Sequence, residues 1–105
     1  MKFELQRKMD SIGRIVIPAD LRNYYDMKPG STVVILPVRD GIQIAKSEYF
    51  IMEELSDVEV VLTIDSTGRF RIPCAFKKQY HFNPQDILSI VPYETCMLIY
   101  KNDVA

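Results

Sequence analysis

Apolar and polar residues alternate through residues 3–9. Phe3, Leu5 and Met9 share one face with Arg7, and Glu4, Gln6 and Lys8 take the other. That period of two predicts a half-buried strand. Residues 58–64 read as a second such strand, more uniformly apolar and therefore expected to be more buried. After each comes Asp-Ser-x-Gly-Arg, at Asp10–Arg14 and at Asp65–Arg69, a run of turn chemistry. Asp and Ser side chains bond nearby backbone N–H groups there, and Gly tolerates positive φ where the chain reverses. Short strands follow at 14–17 and 69–72, each ending at a proline. Pro18 and Pro73 stand where a helix begins, since proline at the first helical position gives up no needed hydrogen bond. Leu21 with Tyr25, and Phe76 with Tyr80, are spaced by four and form one apolar ridge on a two-turn helix. Lys28-Pro29-Gly30 and Asn83-Pro84-Gln85 end those helices. A hairpin then closes each half: 32–38 with 42–46 across Asp40-Gly41, and 87–93 with 96–101 across Glu94-Thr95.

The two halves are copies. An offset of 55 takes Asp10-Ser11-Ile12-Gly13-Arg14-Ile15-Val16-Ile17-Pro18 onto Asp65-Ser66-Thr67-Gly68-Arg69-Phe70-Arg71-Ile72-Pro73. The same register aligns Tyr25 with Tyr80, Pro29 with Pro84, Ile35 with Ile90, Ile44 with Ile99 and Lys46 with Lys101. One gapless register over most of each copy marks a duplication. The expected organisation is a first repeat at 1–46, a connector at 47–56 and a second, divergent repeat at 57–105. The connector carries Tyr49, Phe50, Ile51, Met52 and Leu55 and is expected to pack over the body. Neither four-stranded copy can cover its own sheet edges. The economical solution is one closed β-barrel completed by both copies. The expected fold is thus mostly β with short helices, a barrel of two ββαββ repeats.

Composition narrows the chemistry. The 105 residues are 48% hydrophobic and 26% charged, with a net charge of −1, as in an ordinary globular domain. No apolar run approaches the roughly 20 residues of a membrane span, and residues 1–7 lack the apolar stretch of a signal peptide, so a cytoplasmic protein is expected. Two cysteines make no disulfide framework and are expected to be reduced. One histidine, no Trp and no clustered metal ligands argue against an enzyme, and no cofactor or metal is expected. The charge is uneven: residues 1–46 hold eight basic and five acidic groups, a net +3, and the connector holds three acids, a net −3. A near-neutral total therefore hides a basic first half, and net charge does not exclude a nucleic-acid partner.

The run Arg7-Lys8-Met9-Asp10-Ser11-Ile12-Gly13-Arg14-Ile15-Val16-Ile17-Pro18-Ala19-Asp20-Leu21-Arg22 resembles the DNA-binding domain of the AbrB/SpoVT/MazE family. Met27-Lys28-Pro29-Gly30-Ser31 and the hairpin through Lys46 also fit that pattern, and the second copy keeps its Asp-x-x-Gly-Arg-x-x-Ile-Pro spine. The resemblance implies a swapped-hairpin β-barrel acting as a bacterial transcription regulator on double-stranded DNA, or as an antitoxin. Two copies in one chain are similar to the MraZ-like arrangement, in which both build one barrel. It also implies DNA contacts at Arg7, Lys8, Arg14 and Arg22 in the first copy. In the second copy they fall on Arg69 and Lys77, with Lys78 adjacent. Leu62 and Thr63 replace the Arg7-Lys8 pair there, so part of the patch is missing.

Guanidinium groups suit this role because they contact phosphates or guanine edges bidentately. The duplication predicts that Arg14 and Arg69 share one surface. Competing readings attach to the same residues. Arg14 and Arg69 brace Asp10 and Asp65 in their turns, and Lys77-Lys78 is a solvated helix face. Tyr24 and Tyr25 serve the core or a subunit contact, Cys74 is a small buried group, and His81 complements a helix end. At the level of the molecule, the alternative is a protein-interaction module such as a MazE-like antitoxin or an assembly adaptor, with a second copy of itself or a toxin-like protein as partner.

Overall fold

The computed structural model describes residues 4–46 and 60–101; the expected packing of the connector falls outside them. Each repeat contributes four strands and one short helix. In the first repeat these are β1 (Leu5–Lys8), β2 (Arg14–Val16), α1 (Ala19–Tyr24), β3 (Thr32–Val38) and β4 (Gly41–Lys46). The second supplies β5 (Val60–Thr63), β6 (Arg69–Arg71), α2 (Cys74–Gln79), β7 (Ile87–Pro92) and β8 (Met97–Lys101). Six strands form one antiparallel sheet in the order β1-β7-β8-β4-β3-β5, and β2 pairs with β6 in a separate two-stranded ribbon.

The pairing joins the repeats. Among the described residues only the β3–β4 and β7–β8 hairpins pair within one copy; β1–β7, β3–β5, β4–β8 and β2–β6 each pair one copy with the other. The registers obey a pseudo-dyad. Leu5 meets Ile90 while Val60 meets Ile35, and Arg14 meets Arg71 while Arg69 meets Val16. The helix tyrosines follow the same exchange. Tyr25 Oη sits between the Tyr93 and Cys96 carbonyls of the second hairpin, at 2.5 and 2.8 Å, and Tyr80 Oη donates to the Val38 carbonyl of the first. One core results, running from Met9, Ile15 and Ile17 through Val33, Ile35 and Ile44 to Phe70, Ile72, Leu88 and Ile99.

Three expectations are corrected. The six-stranded sheet is not closed into a barrel: its end strands β1 and β5 do not pair with one another. Each instead turns at its Asp-x-x-Gly into β2 or β6, and those two pair as a ribbon of their own. Over its described positions 61–63, the second repeat's first strand is not the more buried one. It is an edge strand on β3 alone, with Val61 58% exposed. Cys74 is exposed and not buried, because the six-residue α2 turns only Phe76 into the core. Of the two tyrosines expected in the core or at a subunit contact, Tyr25 is buried and Tyr24 is 63% exposed.

Candidate functional site

The β2–β6 ribbon is short, and its alternation is simple. Ile15 and Phe70 oppose one another and point inward, fully buried. The positions on either side therefore point outward, as they must on a strand. These are Arg14 and Val16 on β2, and Arg69 and Arg71 on β6. Arg14 stands directly across from Arg71, and Val16 across from Arg69. Three of the four outward positions are arginine, taken from both repeats.

The turns leading into the ribbon aim these side chains. Asp10 Oδ1 accepts from the Ile12 and Arg14 backbone N–H groups at 3.1 and 2.8 Å, and Asp65 Oδ1 from those of Thr67 and Arg69, both at 2.9 Å. Gly13 and Gly68 follow with φ of +85° and +81°, the left-handed region that glycine enters freely. Their carbonyls accept from Ile72 and Ile17 N–H, both at 2.9 Å, which ties each turn to the opposite strand.

Each arginine is held by one nitrogen. Arg14 Nε donates to Asp10 Oδ2 at 2.7 Å and Arg69 Nε to Asp65 Oδ2 at 3.2 Å. Arg71 Nε reaches the Ile12 carbonyl at 3.1 Å, and Arg22 Nε the Ile17 carbonyl at 2.9 Å. Among the described residues the Nη pairs of these four arginines make no hydrogen bond. Anchoring through Nε limits the rotamers, and the Nη fork stays open to a planar acceptor. Asp10 and Asp65 both titrate below the usual aspartate range. The backbone N–H of Arg14 or Arg69 is the main cause, and Asp65 is lowered to about 2. Both carboxylates are thus ionised at neutral pH. Bracing and presentation are compatible: the brace uses Nε alone.

The helices add a cation over each turn, again crosswise. A Cβ placed on Gly13 would lie 2.5 Å from Lys77 Nζ, and one on Gly68 would lie 2.5 Å from Arg22 Cζ. Lys77 of the second repeat thus covers the first repeat's turn, and Arg22 of the first covers the second's. Arg14, Arg69, Arg71, Arg22 and Lys77 against Asp10 and Asp65, five cations less two carboxylates, leave a local +3.

The other sequence candidates fall elsewhere. Lys78 is exposed on α2 and lines a groove of about 400 Å³ with Cys74, Lys77, His81, Phe82, Asn83 and Pro84. His81 lies just past α2 with φ of +58°, the left-handed position that ends a helix. Arg7 and Lys8 lie on the edge strand β1 and not on the ribbon, and Arg7 Nη1 donates to the Gln6 carbonyl at 2.7 Å. Arg71 was missed from the sequence. Its counterpart at offset 55 is Val16, so the repeat drew no attention to it. The alternation Arg69-Phe70-Arg71 around a buried aromatic carried the signal.

No group of three or more His, Cys, Asp or Glu residues able to hold a metal ion occurs among the described residues. No helix among them is long and apolar enough to cross a membrane. No family model matches the chain, and no curated protein matches it. Among solved structures, the chain is similar to the solution structure of PHS018 from Pyrococcus horikoshii. The two are 18% identical, the match covers 96% of this chain and 95% of that one, and the TM-score is 0.53. A likeness at that identity shows the fold alone: a small, mostly β domain with two short helices and an antiparallel sheet.

Proposed function

We propose that this chain is a regulator of the AbrB type that binds double-stranded DNA in the bacterial cytoplasm through the outer face of the β2–β6 ribbon. Its exchange of strands between repeats is the single-chain counterpart of a swapped-hairpin fold. The observation that carries the reading is the pairing of Arg14 with Arg71. Like charges directly across an antiparallel pair destabilise it. Asp10 and Asp65 compensate part of this charge through Arg14 and Arg69, and the +3 that remains on one face is a local cost that a polyanion would offset.

The geometry suits a duplex. A two-stranded ribbon fits the major groove of B-DNA, which is about 12 Å wide. Opposed side chains stand roughly 5 Å apart at their Cβ atoms, so Arg14 and Arg71 reach adjacent base pairs or flanking phosphates. A guanidinium anchored through Nε presents its Nη fork to the O6 and N7 atoms of guanine or to phosphate oxygens. Arg22 and Lys77, over the two turns, reach the backbones that border the groove.

A fluorescence-polarisation titration against a pool of genomic duplex fragments tests this. With four to five phosphates neutralised, log K falls with log salt at a slope of about −4 to −5. Lys77→Gln weakens binding and makes that slope about one unit shallower, while the melting temperature of the free protein does not fall. Absent or salt-insensitive binding would refute the reading. A stoichiometric protein partner recovered without DNA would then favour an antitoxin-like interaction module.

A further inference from the structure

Although the pairing obeys a pseudo-dyad, the side chains on the ribbon do not. At the end next to Gly13 stand Arg14 and Arg71, opposed, with Lys77 over the turn. At the end next to Gly68 stand Arg69 and Val16, opposed, with Arg22 over the turn. The dyad exchanges Arg14 with Arg69 and Lys77 with Arg22, which keeps the charge. It also exchanges Arg71 with Val16, which does not. One end of the ribbon thus carries two outward guanidiniums. The other carries one, beside an apolar side chain that is 37% exposed.

We infer that the ribbon reads a non-palindromic duplex in one fixed orientation, with Val16 and Arg71 as the residues that set its direction. The inference rests on the proposed DNA-binding reading and deepens it. Two identical subunits related by an exact dyad read matching half-sites. This chain builds both halves from one sequence, so its halves are free to differ, and at this pair they do. Arginine takes the acceptor pair O6 and N7 of guanine, whereas an exposed apolar side chain fits the C5 methyl of thymine. The Arg14/Arg71 end therefore selects a G·C-rich half-site, and the Val16/Arg69 end selects a half-site containing one guanine and a neighbouring thymine.

The test is in vitro selection from a randomised duplex library with three proteins: the full chain, Val16→Arg and Arg71→Val. Val16→Arg restores the dyad with arginine at both ends, and Arg71→Val restores it with valine. Both sites are exposed, and thermal melts confirm that each variant folds. The full chain is expected to enrich a sequence without inverted-repeat symmetry. Val16→Arg should enrich an inverted repeat of the G·C-rich half, and Arg71→Val an inverted repeat of the thymine-containing half. Against its own selected duplex the full chain should bind about tenfold more tightly than against either symmetrised one. Enrichment of an inverted repeat by the full chain, or of the same site by all three, overturns the directional inference and leaves DNA binding standing. Enrichment of nothing by any of the three overturns the DNA-binding reading and this inference with it.

Discussion

At the scale of single residues, the turn aspartates do two things that are separable by pH. Each carboxylate closes its turn by accepting backbone N–H groups and fixes an arginine through Nε. Asp65 is lowered from 3.8 to about 2, first by the Arg69 backbone N–H, and Asp10 is lowered in the same direction. A carboxyl whose folded pKa lies below its unfolded one stabilises the fold fully above the unfolded value, and that contribution is lost as pH falls through the folded one. The window here runs from about 4 down to about 2. Asp65→Asn keeps an oxygen that accepts the turn's N–H bonds but removes the charge. Urea unfolding midpoints should therefore place Asp65→Asn below the parent chain at pH 7, with the gap closing as pH falls below 4. A gap that stays constant across that range would show the charge to be irrelevant. The aspartates, the glycines and Arg14 were all legible in the sequence because the turn recurs at a fixed offset. Arg71 was not, since repeat comparison rewards what the copies share and Arg71 faces a valine in the alignment.

Elements were legible where period and punctuation agreed. Pro18 and Pro73 do precede the helices, and both hairpins fall where the apolar runs predicted. Burial was less legible, because it depends on the neighbour a strand acquires. Val61 belongs to an apolar strand, yet it is exposed at a sheet edge. A six-residue helix is too short to be stable alone, so α1 and α2 depend on what holds them. For α1 that is Leu21 and Tyr25, both buried, and the Tyr25 hydroxyl between the Tyr93 and Cys96 carbonyls. Burial pushes the Tyr25 pKa up to about 12, so the hydroxyl stays protonated as a donor at any working pH. Tyr25→Phe keeps the ring but removes the one proton shared by the two carbonyls, leaving Cys96 O with the Tyr93 N–H and Tyr93 O without this donor, a loss of about 1–3 kcal/mol. Chemical denaturation of the variant should show a loss in that range. A change below a few tenths of a kcal/mol would mean that the ring alone secures the helix. Because the hydroxyl bonds the opposite repeat, the loss should appear in one cooperative transition of the whole chain, with neither half melting separately.

For the whole molecule, the decisive fact is which strands meet. Among the described residues, only the hairpin strands pair within a copy. Every other ladder, and the core cluster that holds Ile15 against Phe70, requires both copies. The duplication announced that two equivalent halves exist, and the edge problem announced that they must cover one another. Neither dictated that the ends of the main sheet stay apart while β2 and β6 form a ribbon; that follows from where the Asp-x-x-Gly turns redirect the chain. An isolated hairpin is marginal in water, and the ribbon cannot exist without one strand from each copy. A chain cut in the connector therefore yields two fragments without folds of their own. Residues 1–46 and 57–105, prepared separately, should each lack a cooperative thermal transition as monomers by circular dichroism. Mixed at equal concentration they should recover one, with a midpoint that rises with concentration because association now precedes folding. A cooperative transition from either fragment as a monomer would mean that the copies are independent domains. The ribbon would then be a contact between finished parts, and the arginines of its two strands would have no reason to share a face.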